Sequence, residues 1–179
     1  MLISSSLTIC YVAIGSNLGD SLGYLKKAVT ALKGNTQISK LKVSKFYQSK
    51  PHGPQNQPDY YNAAVCFETT LSAEALLDFL QTIENVNERI REGVVRWGAR
   101  TLDLDLLFYG DNVFDTKRLT VPHPRICERA FVLLPLRDLA SDHLNDLKIN
   151  PQTSIEDCIK KLTKVALNDI QEVEIMTYD

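Results

Sequence analysis

The spacing of hydrophobic positions changes along the chain, and each change marks an element. Leu7 to Ile14 is a short apolar, partly β-branched run ending at GSNLGD, the pattern of a buried strand followed by a turn. Leu22, Leu25, Val29 and Leu32 recur at helical spacing, with Asp20 or Ser21 able to cap the start and Gly34 marking the end. Residues 38 to 47 read as a strand and Tyr61 to Thr69 as another. A helix from Ser72 to about Arg91 follows, its Leu76, Leu80, Ile83, Val86 and Ile90 making one apolar face. TLDLDLLFY, beginning at Thr101, is a strand, and the turn signal YGDN after it predicts a short hairpin reaching about Val121. A helix is expected over roughly Glu128 to Ala140, another from Ser154 to Leu162, and a final strand in QEVEIM. Strand, helix, strand, strand, helix, strand is the order of an α+β, ferredoxin-like βαββαβ sandwich, a mostly antiparallel sheet with helices packed on one side. The expected organisation is one domain over residues 1–179, with a motif-bearing core at about 7–141 and a C-terminal extension at 142–179.

Two polar loops interrupt this pattern. QSKPHGPQNQPDY, residues 48 to 60, has 13 residues with almost no aliphatic content, and residues 92 to 100 lead into the TLDLDLLFY strand. Loops of that length are often functional. Composition adds mainly exclusions. At 179 residues, 44% apolar and 23% charged, the chain is long enough for a substantial core. A net charge of −2 lacks the basic excess of a sequence-independent nucleic-acid binder. Cys10, Cys66, Cys127 and Cys158 show no C-x-x-C spacing and are read as reduced core thiols. The first residues carry no Lys or Arg before Lys26 and no apolar run reaches membrane-spanning length. The expectation is a cytoplasmic monomer acting on small molecules, with no nucleic-acid or membrane partner.

Candidate chemistry begins in TLDLDLLFY. Alternate side chains of a strand share a face, so Asp103 and Asp105 point one way at a backbone separation of roughly 6.6 Å, while Leu102, Leu104 and Leu106 fill the other face. Two such carboxylates can hold hard cations that clamp a transferring phosphate; a solvated strand face offset by nearby cations is the alternative. All eight arginines fall between Arg89 and Arg137. Guanidinium forks suit polyphosphate, which favours phosphate contact for Arg96 and Arg100, while Arg89 and Arg91 also have Glu84, Glu88 and Glu92 for surface pairing. P-loop and G-x-G-x-x-G motifs are absent, and Gly15, Gly19 and Gly23 read as turn and helix-start residues, with Ser16 and Asn17 able to touch a ligand. Tyr60 and Phe131 sit at loop-to-element junctions where a ring can stack, or, for Phe131, pack in the core. VPHPR fixes His123 between two prolines, either to donate to an anion or as a plain turn residue.

Taken together, AIGSNLGD, QPDYYNAAV, RWGARTLDLDLLFYG and LTVPHPRICERAFVLLPL resemble the bacterial-type 6-hydroxymethyl-7,8-dihydropterin pyrophosphokinases of folate synthesis, over about Tyr11 to Ala140. The resemblance implies a ferredoxin-like fold, ATP as co-substrate, two Mg2+ ions, and transfer of the β,γ-diphosphate to the pterin's hydroxymethyl oxygen with release of AMP. Carried over by position, Asp103 and Asp105 match magnesium ligands, Arg89, Arg100, His123 and Arg129 match polyphosphate contacts, and Gln81 and Glu84 match residues near the nucleotide. The pterin would lie between Tyr60 and Phe131, with Asn62 on its amide edge, Asn17 nearby, and Ser49 in a segment whose contacts are partly through backbone. Trp97 matches a loop residue that closes over the site. Glu88 stands where a glycine normally precedes the first arginine, and Ala99 replaces the proline of the usual G-P-R. An RNA-recognition domain of the same element order would carry aromatic residues on its central strands and a basic face, which LTICYVAI and TLDLDLLFY do not supply. A relative that binds nucleotide or pterin without catalysis stays open.

Overall fold

In the computed structural model, residues 7–51, 56–88, 98–140, 145–162 and 164–173 are described. The strand expected at the start is β1 (Thr8–Ser16), and the helix after it is α1 (Ser21–Lys33), capped by Asp20, whose carboxylate accepts from the Gly23 amide. The strand expected over 38 to 47 is divided into β2 (Ile38–Val43) and β3 (Phe46–Ser49). The break falls at Ser44, whose buried hydroxyl accepts from the Ala64 amide and donates to the Lys45 carbonyl. Next come β4 (Tyr60–Thr69), α2 (Ala73–Val86) with Ser72 as its cap, and β5 (Asp103–Tyr109).

Beyond β5 the chain departs from expectation. The predicted hairpin does not extend β5. Phe114–Asp115 (β6) and Thr120–Val121 (β7) pair only with each other, because Gly110, at φ +53°, turns the chain away from the sheet. A 3-10 turn, Ile126–Glu128, precedes α3 (Ala130–Leu139). The extension forms β8 (Lys148–Asn150), β9 (Thr153–Ser154), α4 (Ile155–Lys160), α5 (Lys164–Asn168) and β10 (Ile170–Val173).

The main sheet runs β10-β3-β4-β1-β5, with β2 also paired to β4, and every pairing is antiparallel. Helices cover both faces, not one. On the first face Cys10, Val12, Ile14, Ala63, Val65, Phe67, Leu104 and Leu106 pack under α1 and α2, where Leu25, Leu32, Leu76 and Leu80 are fully buried. Each such leucine contributes about 1.5–3 kcal/mol of burial. On the second face Tyr11, Leu107 and Phe108 meet Ile126, Leu133, Leu136 and Ile155 from the 3-10 turn, α3 and α4. A bulge opposite Tyr11 and Val12 lets the successive residues Leu107 and Phe108 both join that second cluster. This second layer explains the cysteines. Cys127 in the 3-10 turn and Cys158 on α4 are brought to a Cα separation of 5.0 Å and are disulfide-bonded, across 31 residues of sequence. Only Cys10 and Cys66 are reduced thiols.

Candidate active site

On the second face of the sheet a cleft opens beside the start of α3, and it is the candidate site. Strand register sets its floor. Gly15 of β1 lies opposite Asn62 of β4 on one side and Asp103 of β5 on the other, and Ala13 likewise lies between Ala64 and Asp105. Adjacent strands are about 4.8 Å apart, so the Asn62 amide and the Asp103 carboxylate spring from backbones roughly 10 Å apart, with only glycine between. A Cβ at Gly15 would meet Asn62 Oδ1 at 3.2 Å. Glycine and alanine keep the floor low, and a cleft open to solvent forms above them. Gly15 is therefore a strand residue of the site, not a turn residue; a glycine inside a strand pattern is a known signal of close approach.

Ser49, Tyr60, Asn62, Arg100, Asp103, Asp105, Arg129 and Phe131 all line this cleft. The first turn of α3 forms one wall through Phe131 and Val132, and the Arg129 guanidinium stands 5.8 Å from the Phe131 ring centre. Tyr60 is held by its hydroxyl, which donates to the Gly98 carbonyl at 3.0 Å. Asn62 is buried and its Nδ2 donates to Ser49 Oγ at 2.9 Å, which fixes the amide so that Oδ1 lies over Gly15. Ser49 thus orients Asn62. Lys50, which no sequence signal singled out, also lines the cleft and pairs with Asp59 at 3.3 Å.

At the other end each aspartate has its own arginine. Arg100 meets Asp103 at 2.7 Å and Arg129 meets Asp105 at 3.3 Å. These pairs offset the like-charge repulsion of the two carboxylates. Arg129 Nε is buried and makes no hydrogen bond among the described residues, so part of this guanidinium's donor capacity is unused. His123 hangs from a backbone bond between its amide and the Leu107 carbonyl. Its pKa is pushed down to about 4, by burial first and the Arg129 charge second, so the ring is neutral near pH 7. Its Nδ1 accepts from the Arg125 amide at 3.2 Å. The proton therefore sits on Nε2, which is 3.9 Å from Asp105 Oδ2 and is a neutral donor toward the aspartate end.

Besides His123, three described sequence candidates are placed beside the cleft instead of in its lining. Asn17 is buried as a clamp: its Nδ2 donates to the Gln57 side chain and the Pro58 carbonyl, both at 3.0 Å, and its Oδ1 accepts from the Arg100 amide at 2.8 Å. Glu84 is 2% exposed and accepts from the Leu104 amide at 2.7 Å. Gln81 is half-buried on α2. Arg89, Arg91, Arg96 and Trp97 lie outside the described residues. Among the described residues no helix is long and apolar enough to cross a membrane.

The model of the family described as 7,8-dihydro-6-hydroxymethylpterin-pyrophosphokinase (HPPK) matches residues 11–141. The 2-amino-4-hydroxy-6-hydroxymethyldihydropteridine pyrophosphokinase of Haemophilus influenzae is 48% identical over 132 residues, covering 74% of this chain and 81% of the relative. That of Bacillus subtilis is 44% identical over 131 residues, covering 73% and 77%. The fold is shared with an HPPK-DHPS crystal structure in complex with substrates, at TM-score 0.69 and 11% identity over 95% of this chain and 47% of that one. Plasmodium falciparum HPPK-DHPS with pterin and p-hydroxybenzoate gives TM-score 0.70 at 12% identity, over 98% and 47%. The chain spans about half the length of these solved chains. Matched over most of its length by the family model and by relatives of nearly the same extent, the chain belongs to the 7,8-dihydro-6-hydroxymethylpterin-pyrophosphokinase family.

Proposed function

We propose that this protein transfers the β,γ-diphosphate of ATP to the hydroxymethyl oxygen of 6-hydroxymethyl-7,8-dihydropterin in folate biosynthesis. The bond from that oxygen to the β-phosphorus forms as its hydroxyl proton is released, the bond from the β-phosphorus to the α-phosphate oxygen breaks, and AMP leaves with that oxygen. One observation carries the reading: a single cleft joins an oriented amide and two rings at one end to paired carboxylates and arginines at the other. The rings of Tyr60 and Phe131 suit a flat heterocycle, and Asn62 presents an amide of fixed orientation to its polar edge. Arg100 and Arg129 supply charge where phosphoryl negative charge develops, and neutral His123 adds a donor through Nε2.

Asp103 and Asp105 would hold Mg2+. Among the described residues no group of three His, Cys, Asp or Glu converges, but two carboxylates on one face suffice for a cation that keeps its waters and takes its remaining ligands from phosphate. The ion supplies neutralisation of phosphate charge when bound. The arginines also compensate the aspartates in its absence, and they can turn to phosphate as substrate arrives.

The test is product identity. The protein incubated with ATP, Mg2+ and hydroxymethyl-dihydropterin is expected to yield AMP and the pterin diphosphate in equal amounts. ADP with a pterin monophosphate, or no pterin-dependent turnover, would overturn the proposal.

A further inference from the structure

We propose that Glu84 is a positioning residue that holds the strand between Asp103 and Asp105 at the angle metal binding requires, a role resting on the function proposed above. Among the described residues β5 is an edge strand, paired only with β1. Leu104, between the two aspartates, turns its amide away from β1 to the outer edge, where no strand of the described residues follows. An unpaired edge amide beside the core is costly to leave without an acceptor. Here the acceptor is a buried carboxylate delivered by the last turn of α2, at 2.7 Å. At that length the bond is short, and it pins the backbone midway between the two aspartates.

The consequence is geometric. The aspartates project on the second face of β5, while Glu84 reaches its backbone from α2, which packs on the first face. Rotation of β5 about its own axis would swing both carboxylates together relative to Arg100 and Arg129. The β1 ladder holds one edge against that rotation and Glu84 holds the other. A carboxylate 2% exposed, with its oxygen on a main-chain amide, is placed to act through the strand and not by touching nucleotide. Groups that orient metal ligands from behind commonly matter nearly as much as the ligands themselves.

The experiment compares Glu84→Met, which removes the acceptor at similar volume, with Glu84→Gln, which retains a carbonyl for the Leu104 amide. Three quantities are read on the full chain: Mn2+ binding with a non-hydrolysable ATP analogue by electron paramagnetic resonance, hydrogen exchange of the Leu104 amide, and kcat with the KM for pterin. Glu84→Met is expected to lose Leu104 protection and to reduce Mn2+ affinity and kcat by about 10–100-fold, with pterin KM little changed. Glu84→Gln should recover most of each. Wild-type Mn2+ affinity in Glu84→Met with Leu104 exposed overturns the proposal. So does a Glu84→Gln as defective as Glu84→Met while Leu104 stays protected, which would assign the charge to the nucleotide itself. Should Glu84→Met fail to fold, Glu84→Gln decides: retained Mn2+ binding and protection support the role, and loss of Mn2+ binding refutes it. Failure of the functional reading would appear separately, as absence of AMP release by the wild type, because Mn2+ binding and exchange need no turnover.

Discussion

Replacing Asn17 by alanine tests whether one buried side chain holds both loops of the cleft. Its amide makes three hydrogen bonds, to Gln57, to the Pro58 carbonyl and from the Arg100 amide, at 2.8 to 3.0 Å. Ordinary intramolecular bonds contribute about 1 kcal/mol each, which gives about 3 kcal/mol for the set. Water can reach the Gln57 side, because that residue is only half-buried, and this lowers the expectation to about 2–3 kcal/mol. For a chain of this size about 1 kcal/mol shifts the melting midpoint by about 2–4 °C, so a fall of about 4–12 °C is expected. The loss should be local in origin. The Arg100 amide, which bonds to Asn17 Oδ1, should exchange faster in the variant, and pterin and nucleotide should both bind more weakly, because the side-chain bonds to Pro58 and to the Arg100 amide are lost together while the Arg100 carbonyl stays on the residue-17 and Leu18 amides. Urea unfolding, calorimetry and hydrogen exchange measure these three effects. A stability loss below about 0.5 kcal/mol, the lower limit for a single hydrogen bond, with an unaltered Arg100 amide would refute the clamp.

Other outcomes follow from the same geometry. Asp103→Ala and Asp105→Ala should each reduce turnover by about 10²–10³-fold or more at saturating Mg2+ while leaving the circular dichroism spectrum unchanged; near wild-type rates would make the pair structural. Glu88 adopts φ +61°, a conformation that favours glycine, and its contact with the Tyr24 hydroxyl is a long 3.5 Å. Glu88→Gly should therefore raise stability by about 1 kcal/mol in denaturant unfolding. Burial pushes the Cys10 thiol up to about 12 and raises Cys66 as well. The reactive thiolate is thus scarce at pH 7, and labelling of the native protein should be slow and accelerate as pH rises. Under denaturing, non-reducing conditions two thiols should titrate, and a count of four would exclude the Cys127–Cys158 bond.

Much of the site is legible in the amino-acid sequence. The alternation in TLDLDLLFY places Asp103 and Asp105 on one face and Leu104 and Leu106 on the other, and that division holds: the leucines lie in the first core and the aspartates line the cleft. The cap at Asp20 is readable for the same reason, since a cap is decided within a few residues of backbone. Of the clustered arginines, Arg100 and Arg129 stand beside the aspartates.

What the sequence does not decide is adjacency. Strand order and register put Asn62, Gly15 and Asp103 in one row, although they come from three strands separated by loops and helices. That arrangement depends on burial summed over the whole chain, and no local period encodes it. The same holds for the second helical layer, which buries Ile126 and Ile155 together and so joins two cysteines that sequence spacing left apart. It holds again for Asn17 and Glu84. Their residue types suit ligand contact, and only the fold shows that Asn17 bonds to both loops and that the Glu84 carboxylate accepts from the Leu104 amide. Periodicity states which way a side chain points from its own backbone; only the assembled sheet states what stands in front of it.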